Sequence, residues 1–224
     1  MKFNIALHHY SEEIKMDTDH TIYTTDYFAR WGRIYDLTQI PYSRIREKAV
    51  NITNAPKGAL ILDVATGTGR QAFAFAKRGY QVIGIDLLPE MLKVAIRKNK
   101  YPNMKFEVAD AAHIPFGSDH FDVSVICVAL HDMSPTVREN VLREMVRVTK
   151  PKGSIVIIDY RMPKNKIWGF LVYHYGKIYE TKYFPEFMHS DLYSLLKTVG
   201  ISRIEEHIVA ARALRIIKGK KKIN

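Results

Sequence analysis

Short apolar runs and amphipathic stretches alternate through the middle of this chain. The apolar runs have the length of buried strands, whereas the stretches between them repeat apolar residues at the spacing of a helix. The predicted strands are residues 59–64, 81–86, 105–110, 121–130 and 154–160. A strand that leads through a helix into another strand is typical of βαβ units, so the pattern predicts a parallel sheet.

Three of the intervening stretches carry clear helix signals. Residues 70–78 end before Gly79, a residue type that favours the left-handed conformation at the end of a helix. Pro89 opens the next helix, and Ser134 and Pro135 cap and open the one after it. The residues predicted to face the core from these helices are Ala72, Phe73, Phe75, Ala76, Met91, Leu92, Ala95, Ile96, Val137, Val141, Leu142, Met145 and Val146.

The two ends of the chain carry different patterns. Residues 1–56 are predicted to form a helical cap ahead of the sheet. After a predicted helix over residues 191–199, a short connection joins two strand-like stretches, residues 201–210 and 212–218, which indicates an antiparallel pair. The predicted fold class is therefore α/β: a doubly wound, Rossmann-like, seven-stranded, mostly parallel sheet with an antiparallel last strand pair, in a domain over residues 57–224.

Composition narrows the class of protein. The 224 residues are 47% hydrophobic and 25% charged, ordinary values for a globular α/β domain, which excludes disordered and collagen-like chains. Cys127 is the single cysteine; it is predicted to be a core residue, and no metal site is predicted. No apolar run reaches the ~20 residues of a membrane span, and the first residues are too polar for a signal peptide, so a cytoplasmic protein is expected.

The net charge says less about the partners of the protein than its size suggests. Lys and Arg number 34 against 23 Asp and Glu, which gives a formal charge of +11 and raises the question of nucleic acid or anionic membranes as partners. Much of the excess lies in a short C-terminal run from Arg212 to Lys222. Basic runs of this kind are common on solvated surfaces, so the charge alone identifies no partner.

The sharpest local signal is the sequence DVATGTG over residues 63–69, where a strand runs through small residues into a helix. Glycine lets the backbone approach a ligand closely, and the following helix N-terminus offers unpaired N–H groups to a negative group. Gly67, Gly69 and Ala72 also satisfy a G-x-G-x-x-A dinucleotide pattern. The loop by itself therefore leaves more than one class of nucleotide cofactor open.

Three acidic residues fall at successive strand ends beside this loop. Asp63 lies inside the first strand, where a dinucleotide fingerprint is usually apolar. Asp86 ends the second strand, where a carboxylate can accept hydrogen bonds from both ribose hydroxyls. Asp110 ends the third strand and is followed by Ala111, in a position to meet an adenine edge. Open α/β sheets bind ligands at the carboxyl ends of their strands, so the three acids together predict a cofactor site.

On these motifs the chain resembles the class I S-adenosylmethionine-dependent methyltransferases, closest to the group that includes the ubiquinone/menaquinone-biosynthesis (methyltransferase type 11-like) enzymes. The resemblance extends from about Tyr35 to Tyr160. The matching motifs are DVATGTG (63–69), GIDLLPEML (84–92), VADAAHIPF (108–116), FDVSVICVAL (121–130) and LREMVRVTKPKGSIVIID (142–159). The resemblance implies a methyltransferase that uses S-adenosyl-L-methionine as its cofactor.

The resemblance also implies which residues hold the methionine half of that cofactor. Asp63 and the backbone of Ala65, Thr66 and Gly67 would bind it. Ala65 stands where many members have glycine, and alanine is small enough for the loop to keep its course. Val128 would lie near the sulfonium.

The adenosine half would be bound by the next two strand ends. The resemblance implies that Asp86 binds the ribose, with Leu87 against the adenine. Asp110 would hydrogen-bond the adenine amino group, with Ala111 beside it. Tyr35 matches a tyrosine of the group that closes over the cofactor.

His131 is the predicted catalytic residue, because it follows the fourth strand, where residues that face the acceptor fall in this fold. A base is needed only if the acceptor loses a proton during attack. Asp132 is the second candidate, and the structural alternatives are a loop histidine and a turn aspartate. His8, His9 and His174 are further histidines that could fold over the pocket.

Residues 160–193 are dense in aromatic side chains and are predicted to be an insertion that caps the acceptor pocket. The alternative is an extra helix that merely packs against the domain. As a cap, the segment favours a small, apolar, quinone- or lipid-like acceptor. Together with the basic C-terminus it is compatible with peripheral contact with an anionic membrane.

Three other functions stay open at this point. The charge favours an RNA- or protein-directed methyltransferase, but residues 128–131 are VALH where base-amine methyltransferases carry Asn/Asp-Pro-Pro-aromatic, so nucleic acid is not the expected partner. A nicotinamide-dependent oxidoreductase would fit the glycine pattern, although Asp63 and Asp110 weigh against it. A cofactor-binding module without catalytic activity is the third.

Overall fold

A computed structural model describes residues 42–222, which form one sheet with helices on both faces. The strands are β1 (Leu60–Val64), β2 (Gln81–Asp86), β3 (Met104–Val108), β4 (Phe121–Cys127), β5 (Thr149–Tyr160), β6 (Ile201–Val209) and β7 (Leu214–Lys221). Their order across the sheet is β3-β2-β1-β4-β5-β7-β6. Strand β7 is antiparallel to both of its neighbours, and the remaining pairs are parallel. The predicted fold class is confirmed.

Four of the described helices occupy connections where the sequence predicts a helix, namely Arg70–Ala76, Pro89–Lys98, Pro135–Val148 and Leu192–Thr198. The α-helices that the structure describes are α1 (Ser43–Thr53), α2 (Arg70–Ala76), α3 (Pro89–Lys98), α4 (Pro135–Val148), α5 (Lys166–Tyr179), α6 (Phe184–His189) and α7 (Leu192–Thr198). The hydroxyl of Ser134 accepts a hydrogen bond from the Val137 backbone N–H at the start of α4. Asp191 caps α7 in the same way through the Ser194 N–H. Helices α5 and α6 are built from the aromatic-rich segment.

Several strand ends differ from the predicted ones. Strand β7 starts at Leu214 instead of residue 212 and ends at Lys221 instead of residue 218. Three other differences have a local cause. Strand β4 ends at Cys127 instead of residue 130, because Val128 has a φ of 55° and leaves the extended conformation. Strand β3 ends two residues early, since the Asp110 carboxylate accepts a hydrogen bond from the Ala112 N–H (2.8 Å) and turns the chain. Strand β5 starts five residues early, because Thr149 already pairs with Phe121 across an irregularity in the ladder.

The core lies between the sheet and the helices, and one predicted core residue is wrong. Met91, Leu92 and Ala95 of α3 are buried as expected, whereas Ile96 is 48% exposed. At 3.6 residues per turn, residue 96 falls on the flank of the stripe that the other three define. Phe73, Val137 and Val146 are half-buried at the rim of the core.

The predicted N-terminal cap falls mostly outside the described residues. Tyr35, His8 and His9 belong to that part, so their predicted roles lie outside it as well. Of the predicted cap over residues 1–56, the structure describes residues 42–56, which include helix α1. The boundary at residue 57 remains a prediction.

Candidate active site

The loop after β1 is held against the end of β2. Ala65 and Gly67 both have left-handed backbone conformations, with φ of 51° and 56°. The Thr66 N–H donates to the Ile85 carbonyl (2.9 Å), and the Gly67 N–H donates to Asp86 Oδ2 (2.7 Å). These bonds fix the course of the glycine loop at the carboxyl edge of the sheet.

Asp63 is a buried acid near the end of β1, and one of its two carboxylate oxygens accepts no hydrogen bond from the described residues. Its side chain is inside the protein, and Oδ2 accepts a hydrogen bond from the Thr66 hydroxyl (2.5 Å). Oδ1 is buried and has no hydrogen-bond partner among the described residues. Burial raises the pKa of Asp63 to about 7, against the opposing effects of the Thr66 hydroxyl, the Ala72 backbone N–H and the charge of Arg46. Such a carboxylate is suited to a ligand that brings a positive charge or a donor.

Asp86 at the end of β2 organises two backbone segments. Oδ2 accepts from Gly67, and Oδ1 accepts from the Leu88 N–H (2.9 Å). Burial raises the pKa of this carboxyl above its usual value, which the two N–H donors partly oppose. Each carboxylate oxygen has a second lone pair, so the group can still accept hydrogen bonds from ligand hydroxyls.

The predicted cofactor residues within residues 42–222 line one cleft. Its empty volume, with the part that is open to solvent included, is about 1070 Å³. The predicted residues brought together there are Asp63, Ala65, Thr66, Gly67, Asp86, Leu87, Asp110, Ala111 and Val128. Acidic groups thus alternate with apolar surface, an arrangement that fits a nucleoside joined to an amino acid.

Val128 marks the end of β4 with an unusual backbone conformation. A φ of 55° is rare for a β-branched residue and costs free energy that the surrounding structure must supply. The Val128 N–H donates to the Ile158 carbonyl of β5 (2.7 Å), which keeps the strand in the sheet up to this turn. The turn then directs Ala129, Asp132 and Met133 into the cleft wall.

His131 lies behind this wall, in a cluster of acids. It is 1% exposed, and its Nδ1 is 2.8 Å from Asp159 Oδ1. Its Nε2 is 3.4 Å from both Asp132 Oδ1 and Glu180 Oε2. Burial alone would lower the pKa of His131, but these carboxylates outweigh it and hold the pKa well above the usual value. The surrounding carboxylates therefore favour the imidazolium form of the ring, which does not reach the described lining of the cleft.

Asp132 is the member of this cluster that faces the cleft. Burial raises its pKa to about 6, and the charge of His131 opposes that rise. Oδ1 has no hydrogen-bond partner among the described residues, because its 3.4 Å approach to His131 is an ion pair only. A carboxylate that titrates near neutral pH inside a cleft can take up a proton from a bound molecule.

The cluster also has the composition of a cation site. One nitrogen of His131 and one oxygen each from Asp132 and Glu180 lie within 4.8 Å of one another. In this structure the imidazolium itself neutralises part of the acidic charge. The sequence predicts no metal, and that remains a prediction.

Several residues of the site carry no role in the sequence analysis. Asp159 is the last residue but one of β5 and could have been found by the strand-end rule that identified Asp86. Glu180, which follows α5, and Arg46 of α1 reach the site through tertiary contacts, for which the sequence holds no signal. Cys127 packs against the core, as predicted, and also lines the cleft. Burial raises the pKa of its thiol to about 12, which keeps it protonated.

Comparison with known proteins gives one family. The sequence model of a family described as "Methyltransferase domain" matches residues 61–153. An uncharacterized methyltransferase of Synechocystis sp. is 30% identical over 171 residues, which cover 76% of this chain and 79% of that protein. A ubiquinone/menaquinone biosynthesis C-methyltransferase of Azotobacter vinelandii is 28% identical over 197 residues, 77% of each chain.

Solved structures share the fold at lower sequence identity. A methyltransferase in complex with the Trm112 activator of Haloferax volcanii superposes with a TM-score of 0.72 at 17% identity, over 89% of this chain and 97% of that one. A phosphoethanolamine N-methyltransferase of Haemonchus contortus in complex with S-adenosyl-L-methionine gives 0.63 at 18% identity, over 80% and 53%. Within residues 42–222, no helix is long and apolar enough to cross a membrane.

Proposed function

The chain belongs to the S-adenosylmethionine-dependent methyltransferases, and we propose that it methylates a small, apolar acceptor of the quinone or lipid type. The family excludes the nicotinamide-dependent oxidoreductase. A relative that shares 28% of its residues is named for ubiquinone and menaquinone biosynthesis, which supports the quinone class.

S-adenosylmethionine supplies an activated methyl group when bound, so the protein contributes binding, orientation and exclusion of water. We assign the cationic amino end of the cofactor to Asp63, whose Oδ1 has no partner and whose negative charge a cation would stabilise. The backbone of Ala65, Thr66 and Gly67 gives this end its cradle, with Val128 on the other side.

We assign the adenosine end to the next two strand ends. Asp86 would accept hydrogen bonds from the ribose hydroxyls with its remaining lone pairs. Asp110 would accept from the adenine amino group, and Leu87 and Ala111 would flank the base.

The observation that carries the acceptor proposal is the composition of the remaining wall. Beyond the three acids assigned to the cofactor, the described lining contains one more acid, Asp132. The lining that the neighbouring chain and α4 contribute is apolar, with Ala129, Met133, Val137 and Val141. The polar lining residues Arg46, Arg70 and Gln71 come from α1 and α2. An apolar wall with a single proton acceptor suits a molecule such as a reduced quinone, which loses a proton when it is methylated.

We propose Asp132 as the group that takes this proton. Its pKa of about 6 keeps a useful fraction ionised at neutral pH, and it faces the cleft. The protonated carboxyl can then return the proton to solvent through the open side of the cleft.

We propose a positioning role for His131, the residue that the sequence predicts as catalytic. It is buried behind Asp132, and its imidazolium holds Asp132, Asp159 and Glu180 together. A direct role of His131 remains a prediction, which the comparison of two variants can decide.

The test measures methyl transfer from labelled S-adenosylmethionine to a panel of acceptors. The panel contains a short-chain benzoquinol, a short-chain naphthoquinol, their oxidised forms, a transfer RNA and a basic protein. Label in a quinol supports the proposal, and label in the RNA or the protein alone contradicts it. Binding of S-adenosylhomocysteine with no transfer to any member would point to a cofactor-binding module.

Asp132→Asn should lower turnover of a quinol at least about 100-fold, the contribution of a positioned base. Calorimetry should find its affinity for S-adenosylhomocysteine unchanged within about twofold, because the cofactor acids are intact. Wild-type turnover should rise with pH through about 6, as the base ionises.

His131→Ala should lower turnover less than Asp132→Asn does, and it should shift this pH profile. Asp119→Asn, at an exposed site, is the control for both variants. Full activity of Asp132→Asn would remove it from the mechanism.

The remaining partner predictions are proposals too. We propose that nucleic acid is not a substrate and that the protein works in the cytoplasm or at a membrane surface. The sequence suggested the basic C-terminus for membrane contact, and the structure offers a different surface.

A further inference from the structure

Helix α5 turns its small residues inward and its large apolar residues outward. Its buried residues are Gly169, Val172 and Gly176. Ile167 and Ile178, near the two ends, are 76% and 74% exposed. Between them the exposed apolar side chains are Trp168, Phe170, Leu171 and Tyr175, and Tyr179 follows. This exposed face of α5 is the reverse of an ordinary surface helix, which buries its large apolar side chains.

The orientation of α5 is fixed by contacts on its inner side. A Cβ at Gly176 would lie 2.2 Å from the buried ring of Phe184, so only glycine lets α5 approach α6. The indole N–H of Trp168 donates to the Ala211 carbonyl (2.8 Å), which ties the first turn to the β6–β7 connection. The helix therefore cannot rotate its apolar side chains inward without losing these contacts.

The exposed charged side chains at the two ends of α5 are positive. Lys164 and Lys166 lie at the start of α5, and Lys177 and Lys182 lie at its end, all exposed. The acid of this segment, Glu180, points inward, where it accepts from the Tyr160 hydroxyl (2.8 Å) and approaches His131. An apolar strip bordered by lysines complements an anionic surface with an apolar interior.

The exposed face of α5 also lies on the side of the sheet where the parallel strands end, which is the side that carries the cleft. The chain leaves α5 through Glu180, which contacts the cluster behind Asp132. The lysines of the last strand lie at the opposite edge, since Lys220 pairs with Ser154 near the start of β5, whereas Leu214 pairs with Tyr160 at its end. Contact through those lysines would direct the cleft away from the surface.

We propose that the exposed face of α5 docks on an anionic phospholipid bilayer. Its apolar side chains enter the interfacial region, its Trp and Tyr residues lie at the headgroup level, and the lysines contact the lipid phosphates. This inference rests on the proposed apolar acceptor, because a molecule dissolved in the bilayer would then enter the cleft from the docked edge.

The test is flotation of the full chain with vesicles, without cofactor or acceptor. Wild type should float with vesicles of phosphatidylcholine and phosphatidylglycerol and much less with phosphatidylcholine alone. The double variant Ile167→Asp/Ile178→Asp should lower the bound fraction at least about tenfold, since each substitution removes an apolar side chain from the contact. Ile96→Asp, on an exposed apolar residue of α3, is the matched control and should bind like wild type. The affinity of each variant for S-adenosylhomocysteine reports that the fold is intact.

Other outcomes would overturn the proposal in distinct ways. Equal flotation of wild type and the double variant would place the contact elsewhere. A large loss of thermal stability in the double variant would mean that the chain itself covers this face, and a change from dimer to monomer would mean that a second copy does. Quinol methylation without vesicle binding would remove the docking surface alone, and vesicle binding without quinol methylation would remove the acceptor proposal alone.

Discussion

Asp63 is the most unusual single residue of the cleft, because its carboxylate is buried with one oxygen unpartnered. A raised pKa of about 7 means that the free protein holds a proton on Asp63 over most of the acidic range. A cationic ligand favours the ionised form, so binding must displace that proton below pH 7. Cofactor affinity and the titration of this one group are therefore linked.

Affinity for S-adenosylhomocysteine should rise between about pH 6 and pH 8 and then level off, because Asp63 is ionised beforehand above its pKa. Asp63→Asn should weaken binding at pH 8 at least about tenfold, the scale of a lost charge-assisted interaction. Calorimetric titration across this range is the measurement. The ligand itself also titrates, so the informative quantity is the difference between the two proteins. The same pH slope in both would remove Asp63 from the binding site.

Ala65 and Val128 are two further residues whose backbone conformations the cleft demands. Both lie in the left-handed region, with φ of 51° and 55°, where a Cβ costs about 1–2 kcal/mol. Both line the cleft, one on each side of the β1–β4 junction. Strain of this kind is concentrated where the chain is shaped for a ligand.

Ala65→Gly should increase the free energy of unfolding by about 1 kcal/mol, because glycine adopts this conformation without the Cβ penalty. Ala213→Gly is the matched control at a φ of −88°. Glycine there relieves no strain, adds unfolded-state freedom and removes a methyl group that packs against the core, so it should destabilise. Denaturant titration of both variants measures the two effects. A loss of stability in Ala65→Gly equal to that of the control would contradict the strain at this residue.

At the scale of elements, the contact between α5 and α6 decides how the segment after β5 sits on the domain. Phe184 of α6 is fully buried and packs edge-on against the rings of Tyr160 and His131. The distances between ring centroids are 5.2 Å and 6.0 Å. Its ring also fills the space that the missing side chain of Gly176 leaves. The packing of these two helices therefore supports the wall behind Asp132.

Gly176→Ala should lower the free energy of unfolding by about 1–3 kcal/mol, the cost of overpacking a buried contact. Hydrogen exchange should become faster over residues 166–189 before other parts respond, because α5 must move away from Phe184. Gly117→Ala, where an added Cβ meets nothing within 4 Å, is the control and should neither lower the free energy of unfolding nor speed exchange over these residues. Exchange that stays slow in Gly176→Ala would mean that the ring can adjust in place.

At the scale of the whole molecule, the lysines of the last strand and the cleft lie at opposite edges of the sheet. Lys221 Nζ donates to Asp119 and to the carbonyls of Arg147 and Thr149, and Lys220 donates to Ser154 Oγ (2.9 Å). Part of the positive charge behind the formal net charge of +11 is thus engaged in hydrogen bonds and ion pairs within the chain. The distribution favours general attraction to polyanions over a shaped nucleic-acid surface beside the cofactor.

Binding of a transfer RNA should therefore be weak and should fall at least about tenfold between about 50 mM and 200 mM salt, as expected for non-specific phosphate contacts. Electrophoretic mobility shift at several salt concentrations measures it. Salt-resistant binding accompanied by methyl transfer to the RNA would reverse the choice of acceptor class.

Local patterns determine most of the sheet and of the cofactor side of the cleft. Asp63, Asp86 and Asp110 are found from the sequence because parallel strands bring their carboxyl ends to one edge, whatever the helices do. The end of β4 could not be found in this way, since only tertiary contacts stabilise the left-handed conformation of Val128.

The acceptor side was decided by the tertiary structure. Side-chain spacing placed His131 after a strand, but only packing shows that it is buried between Asp159 and Glu180 and that Asp132 faces the cleft. The aromatic density of α5 was visible in the sequence, whereas its outward direction follows from the contact of Gly176 with Phe184. Periodicity reports which residues share a face of an element, and long-range contacts decide what that face meets.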